Sequence, residues 1–224
     1  VDPTATLALA CVVFLALHVL PSTPLRGALV GRLGEGPYTG LFSLATLAAI
    51  VWMALAYRAA PYTPLWPGLR HLPPAVMPFS LILIACGVLT PNPTAVAAGR
   101  LLARPDPARG IIRVTRHPVM WGIMLWAGAH ILARGELKAT IFFGSFLLLA
   151  VAGTRLQDLR KAKAHGEDWK RFAALTSNIP FVAIAQGRNR FAAGEIGVVG
   201  VAFGLLLYGG LLLSHAWLFG VRPY

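Results

Sequence analysis

The chain has 224 residues, 57% of them apolar and only 12% charged, with a mean hydropathy of +0.67. Soluble domains carry about 25% charged residues, so a water-soluble globule is excluded. The net charge of +12 would suit a nucleic-acid binder if the basic residues lined a polar face with interleaved aromatics. They fall instead between apolar runs, so the expected partner is a lipid bilayer and no nucleic acid is expected.

Charge-free intervals at about residues 5–25, 39–57, 72–95, 118–133, 139–154 and 196–221 predict an all-α, polytopic integral membrane bundle of six transmembrane helices. A ~20-residue helix crosses the ~30 Å hydrocarbon layer. The fourth and fifth intervals are short, and form a helical hairpin with Arg134 and Lys138 snorkelling from its turn. No basic segment or small-residue cleavage site precedes the first span, so no signal peptide is expected. Cys11 and Cys86 both lie in apolar runs, which leaves no disulfide framework to build.

Basic residues concentrate in alternate loops. Arg26 and Arg32 lie in the first loop. Arg100, Arg104, Arg109, Arg113 and Arg116 lie in the third, and Arg155, Arg160, Lys161, Lys163, Lys170, Arg171, Arg188 and Arg190 in the fifth. The other side receives only Arg58, Arg70, Arg134, Lys138 and Arg222, so both termini are expected to face away from the cytoplasm. The stretch from Arg109 to Arg116 reads as an interfacial helix whose arginines meet lipid phosphate. One or two of them could instead pair with carboxylates of a cofactor. Asp158 to Phe181 reads as a surface-lying amphipathic helix ending before Pro180. In the last span, Gly200 and Gly204 form a small-x-x-x-small pair suited to close helix contact.

Ionisable groups at membrane depth are functional candidates by default, and His18 and His130 lie within the first and fourth spans among apolar neighbours. No carboxylate accompanies either in its span, so a general acid/base pair lacks its second member. Two facing histidines on different helices, with small residues such as Ala127, Gly128 and Ala129 making room for a flat macrocycle, fit a b-haem site. The alternative is that each ring donates a hydrogen bond to a neighbouring helix and locks packing. His117, before Pro118, reads as interfacial. It lies ~20 Å along the axis and roughly 140° around it from His130, so those two cannot clamp one iron. His71 and His165 read as solvated loop residues. Depth counted from flanking arginines puts His18 ~12 Å and His130 ~21 Å from the cytoplasmic face, and His215 ~10 Å from the far face. Depth alone therefore pairs His130 with His215.

The motifs His18-Val19-Leu20-Pro21-Ser22, Ile112-Arg113-Val114-Thr115-Arg116-His117-Pro118, Trp121-Gly122, Leu125-Trp126-Ala127-Gly128-Ala129-His130 and Asn178-Ile179-Pro180-Phe181 together resemble the NnrU family, which includes 15-cis-ζ-carotene isomerases. The resemblance covers most of the chain and implies a single membrane domain over residues 1–224 in a bacterial inner membrane. It implies haem b as cofactor, with His18 and His130 as the metal ligands; depth leaves His215 as the rival, and Arg113, Arg116 and His117 are further cofactor-binding candidates. The activity it implies is cis–trans isomerisation of a lipophilic polyene, or a redox role associated with denitrification. One departure stands out: the isomerases place a cysteine three residues before the second histidine, where this chain has Ala127.

Two other classes compete. Arg116-His117-Pro118 with His165-Gly166-Glu167-Asp168-Trp169 is similar to the cofactor region of isoprenylcysteine carboxyl methyltransferases, which implies S-adenosylmethionine, but here a further apolar span follows. A haem-holding sensor, assembly or electron-transfer protein would need the same histidines without a turned-over substrate.

Overall fold

The computed structural model describes residues 2–95 and 98–223; Val1 and Tyr224, the ends of the expected domain, lie outside the described residues. The helices are α1 (Pro3–Val19), α2 (Pro24–Leu33), α3 (Glu35–Ala59), α4 (Leu72–Leu89), α5 (Pro118–Arg134), α6 (Leu137–Leu175), α7 (Val182–Ala185) and α8 (Val198–Phe219). The described residues hold no strand, only an isolated bridge between Pro64 and Glu136. α1 with the turn after it, α3, α4, α6 and α8 are each long and apolar enough to cross a membrane. The sequence predicts six spans. The remaining one, α5, has 17 residues and reaches only ~26 Å.

The chain packs as two compact units: residues up to Leu69 with His130–Leu149, and Arg70–Ala129 with Ala150 onward. In the first, Asp2 caps α1 by accepting from the Ala5 amide, and Pro3 at the first turn gives up a donor that would have had no partner anyway. α1 packs on α3 through Leu7, Ala10, Cys11 and Phe14 against Ala49, Met53 and Ala56, with Ile141, Phe142 and Phe146 of α6 alongside. In hydrocarbon such contacts hold by close packing rather than by exclusion of water. The outer faces carry Leu9, Val12, Leu44, Leu47 and Leu55, a surface fit for lipid.

In the second unit α4 packs on α8. Gly200 and Gly204 are buried, as the sequence pair predicts. A Cβ on Gly204 would sit 2.7 Å from the Ile82 Cα, and one on Gly200 2.8 Å from Cys86 Sγ. Backbone cannot yield as a side chain does, so Gly204→Ala is expected to cost ~1–3 kcal/mol of stability by forcing the helices apart, read as a lower melting temperature in detergent. α4 also contains Pro78. Proline has no N–H, so the carbonyl four residues earlier loses its helical donor; Tyr208 of α8 supplies one, its hydroxyl donating to Pro74 O at 3.0 Å.

Three local expectations change. Gly110–Arg113 is a single 3₁₀ turn with Ile111 and Ile112 buried, not an amphipathic interfacial helix, because both isoleucines join the core with Leu102 and Phe172. α6 runs past the fifth span into the basic segment and breaks only at Gly166, with φ 47°; no proline lies between to stop it. His165 accordingly belongs to that helix and not to a loop, its ring packed on Gly99.

Candidate functional site

His18 and His130 fall in the same compact unit, and a run of ring contacts joins them. His130 stacks on Phe143 with centroids 4.9 Å apart. Phe143 meets Phe142 at 5.1 Å, Phe142 meets Phe146 at 5.4 Å, Phe146 meets Phe14 at 4.9 Å, and Phe14 meets His18 at 4.4 Å. α6 supplies Phe142, Phe143 and Phe146, the first two lying four and three positions before the third and so neighbouring it on the helix surface. His18 Nδ1 lies 2.8 Å from the Phe14 carbonyl. A carbonyl only accepts, so in the neutral ring Nδ1 carries the proton and Nε2 keeps its lone pair, the arrangement that orients histidines for metal binding. Both rings are half-buried. His215 belongs to the other unit, where its Nδ1 bonds the Val221 carbonyl at 2.8 Å near the C-terminal end of α8. Ala127 is fully buried, and its methyl group offers no ligand.

At the α5–α6 turn of the first unit sits a carboxylate that the sequence reading overlooked. Glu136 is 0% exposed. Its Oε1 accepts from Tyr57 Oη at 3.2 Å and from Arg134 Nε at 2.7 Å, while Oε2 has no partner. Tyr57 touches Phe142 and Phe143, so this buried charge adjoins the aromatic run. Arg134 and Lys138 do not simply snorkel outward. Arg134 pairs with Glu136, and Lys138 donates to Ala60 O at the end of α3 while lying 5.3 Å over the Tyr57 ring, where a cation also complements the helix C-terminus. The signal available in the sequence was a lone acidic residue between two basic ones in a tight turn.

Arg113, Arg116 and His117 lie in the second unit, each committed to groups of the chain itself. Arg113 binds Glu195 through Nε and Nη2 at 2.8 and 3.1 Å, Asp106 through Nη2 at 2.7 Å and Asn189 through Nη1 at 2.8 Å. Arg116 grips Asp158 and donates to Thr176 O. His117 is 1% exposed, so it is a core residue rather than an interfacial one. Its Nε2 donates to Asp158 at 2.7 Å, and Nδ1 has no partner. The two later motifs meet here. Thr115 Oγ1 and Trp121 Nε1 both donate to the Asn178 carbonyl, Asn178 Nδ2 donates to Thr154, and the Phe181 amide bonds Val114 O. Phe181 sits at φ 66°, an uncommon backbone for a bulky side chain, held by this pairing.

Arg113 has an electrostatic consequence. Its hydrogen bonds to Glu195, aided by the Gly110 amide, hold that carboxyl down to about 2, and Glu195 in turn pushes Arg113 up. An unfolded glutamate titrates near ~4.3. A folded value below the unfolded one means the stabilisation is complete above ~4.3 and is lost as pH falls toward about 2. Melting temperature is therefore expected to drop across that window in the wild type and to lose part of the slope in Glu195→Gln.

Over 80 residues, 36% of this chain, the sequence is 40% identical to "15-cis-zeta-carotene isomerase, chloroplastic" of Arabidopsis thaliana. Over 81 residues it is 35% identical to the protein of the same name from Zea mays. These stretches span about a fifth, 22%, of each relative's length. No solved structure matches the chain. The family model described as NnrU protein matches residues 6–223, through both compact units, and the chain belongs to the NnrU family.

Proposed function

We propose that the protein is an integral membrane haem b protein, that His18 and His130 would hold the haem iron, and that it isomerises a cis double bond of a lipophilic polyene. What supports this reading is that the two histidines lie in one unit, with the His18 Nδ1 proton engaged and Nε2 left for a metal. Family membership and the isomerase activity for which the two relatives are named supply the reaction class. Haem bound there would supply an iron whose oxidation state and axial occupancy can change, a means of lowering bond order in a polyene.

The chain's own part is to hold and shield. The Phe14 carbonyl fixes the His18 ring, and Phe14, Phe142, Phe143 and Phe146 line the run with apolar surface that excludes water. The apolar outer faces of α1 and α3 let a polyene arrive from lipid. Arg113, Arg116 and His117 have structural duties in this reading, since chain carboxylates already occupy them. The basic loops set both termini on the non-cytoplasmic side of a bacterial inner membrane.

Absorption spectra of protein purified in mild detergent test this. A Soret band that moves on reduction, and moves again when carbon monoxide is added to the reduced form, is the expected result. A reduced band indifferent to carbon monoxide would replace isomerisation with electron transfer between two tight ligands. A colourless protein that binds S-adenosylmethionine would overturn the haem reading altogether.

A further inference from the structure

Where α4 ends and α8 begins, the second unit contains a cavity of about 390 Å³. Thr90, just past α4, and Gly197, just before α8, both line it, so it opens at the level where these two apolar helices leave the hydrocarbon. Four charged residues line it: Arg104, Asp106, Arg109 and Glu195. The two acids are already answered. Asp106 and Glu195 both bind Arg113, and Glu195 also has Arg190 at 3.9 Å. The side chains of Arg104 and Arg109 are exposed and make no hydrogen bond or ion pair with any described residue, their only bonds being those of the backbone to Leu101 and Ile112. Arg109 lines the same cavity as Glu195 and makes a minor electrostatic contribution to holding that carboxyl ionised.

Two arginines lining one cavity whose carboxylates are already paired offer an anion site. Guanidinium forks match the oxygens of phosphate, two at a time. A cavity of this size belongs to the range that holds small molecules, with room for a phosphate and the group attached to it. Its place at the end of two membrane helices, on the side where basic loops collect, is where anionic headgroups lie.

We propose that this cavity binds a phosphate ester through Arg104 and Arg109, and that the ligand is the headgroup of an anionic phospholipid. The site is separate from the histidines and does not depend on haem.

The test is the thermal stability of the full chain in neutral detergent, because a ligand that binds only the folded state raises the melting temperature. The probes are a short-chain phosphatidylglycerol, a phosphatidylcholine of equal chain length, and inorganic phosphate. Phosphatidylglycerol is expected to raise the melting temperature and phosphatidylcholine to leave it unchanged, with the gap narrowing in high salt as screening grows. In the double variant Arg104→Gln, Arg109→Gln the apparent affinity for phosphatidylglycerol is expected to fall at least tenfold. The unliganded melting temperature should change little, since neither side chain has a hydrogen bond or ion pair to lose and Arg109 makes only a minor electrostatic contribution at Glu195. Arg100→Gln, outside the cavity wall, should behave as wild type. If inorganic phosphate alone reproduces the shift, the site stands and its ligand is a free phosphate. If the shift survives in the double variant, or both lipids act alike, or no probe has any effect, the proposal is overturned.

Discussion

His18→Ala and His130→Ala are each expected to abolish the Soret band of the purified protein, while His215→Ala leaves it intact. Loss of a mere hydrogen-bond partner of a ligating histidine costs ~10–100-fold in metal affinity, so loss of the ligand itself should exceed that and leave purified protein nearly colourless. Phe14→Leu separates ligation from support. It keeps the backbone carbonyl that engages His18 Nδ1 but removes the ring 4.4 Å from the imidazole, so it should retain haem with a weakened hold. The comparison also decides between the rivals raised by depth. A normal spectrum in His18→Ala together with a lost one in His215→Ala would move the second ligand to the C-terminal helix.

Asp158→Ala is expected to be the most destabilising single change in the second unit. Removing this carboxylate leaves the Arg116 guanidinium with the Thr176 carbonyl and the Trp169 ring at 5.9 Å, and leaves His117, 0% exposed at its side chain, without a partner on either nitrogen. Breaking a buried ion pair from one side costs ~3–5 kcal/mol, which for a chain of this size corresponds to a melting temperature lower by roughly 10 °C. Asp158→Asn keeps an acceptor for the His117 Nε2 proton and should lose less. A melting temperature equal to wild type in Asp158→Ala would show that the network contributes little.

Much of the helical plan was legible because hydrocarbon tolerates so few charges: the gaps between Lys and Arg marked the apolar helices, and small residues on the last one marked its contact face. The histidines were legible for the same reason, as titratable groups where none is otherwise expected. What the sequence concealed was the pairing of the charges. Arg113 and Glu195, or Arg116 and Asp158, are distant in sequence and separated by at least one helix, and nothing local says that they meet. Each arginine thus looked available to lipid or cofactor. Glu136 was hidden by its setting, since an acid between Arg134 and Lys138 in a turn resembles any solvated one. Only the return of Thr63 and Pro64 onto that turn, with Leu137 N bonding Thr63 O, closes it off. The 3₁₀ turn at Gly110–Arg113 was missed because its alternation of apolar and basic residues mimics a helix lying on a surface, whereas burial of Ile111 and Ile112 turns the same pattern inward.

The tyrosine that answers the proline-freed carbonyl has a temporal implication. Ribosomes release α4 long before α8 exists, so during synthesis the third apolar segment carries a bare acceptor in a medium without donors. Until the final segment arrives, that segment must remain near the headgroups, bend, or borrow a chaperoning contact. Arrival of α8 therefore acts as the closing latch of assembly, and chains cut short before Tyr208 should be cleared by membrane proteases rather than accumulate.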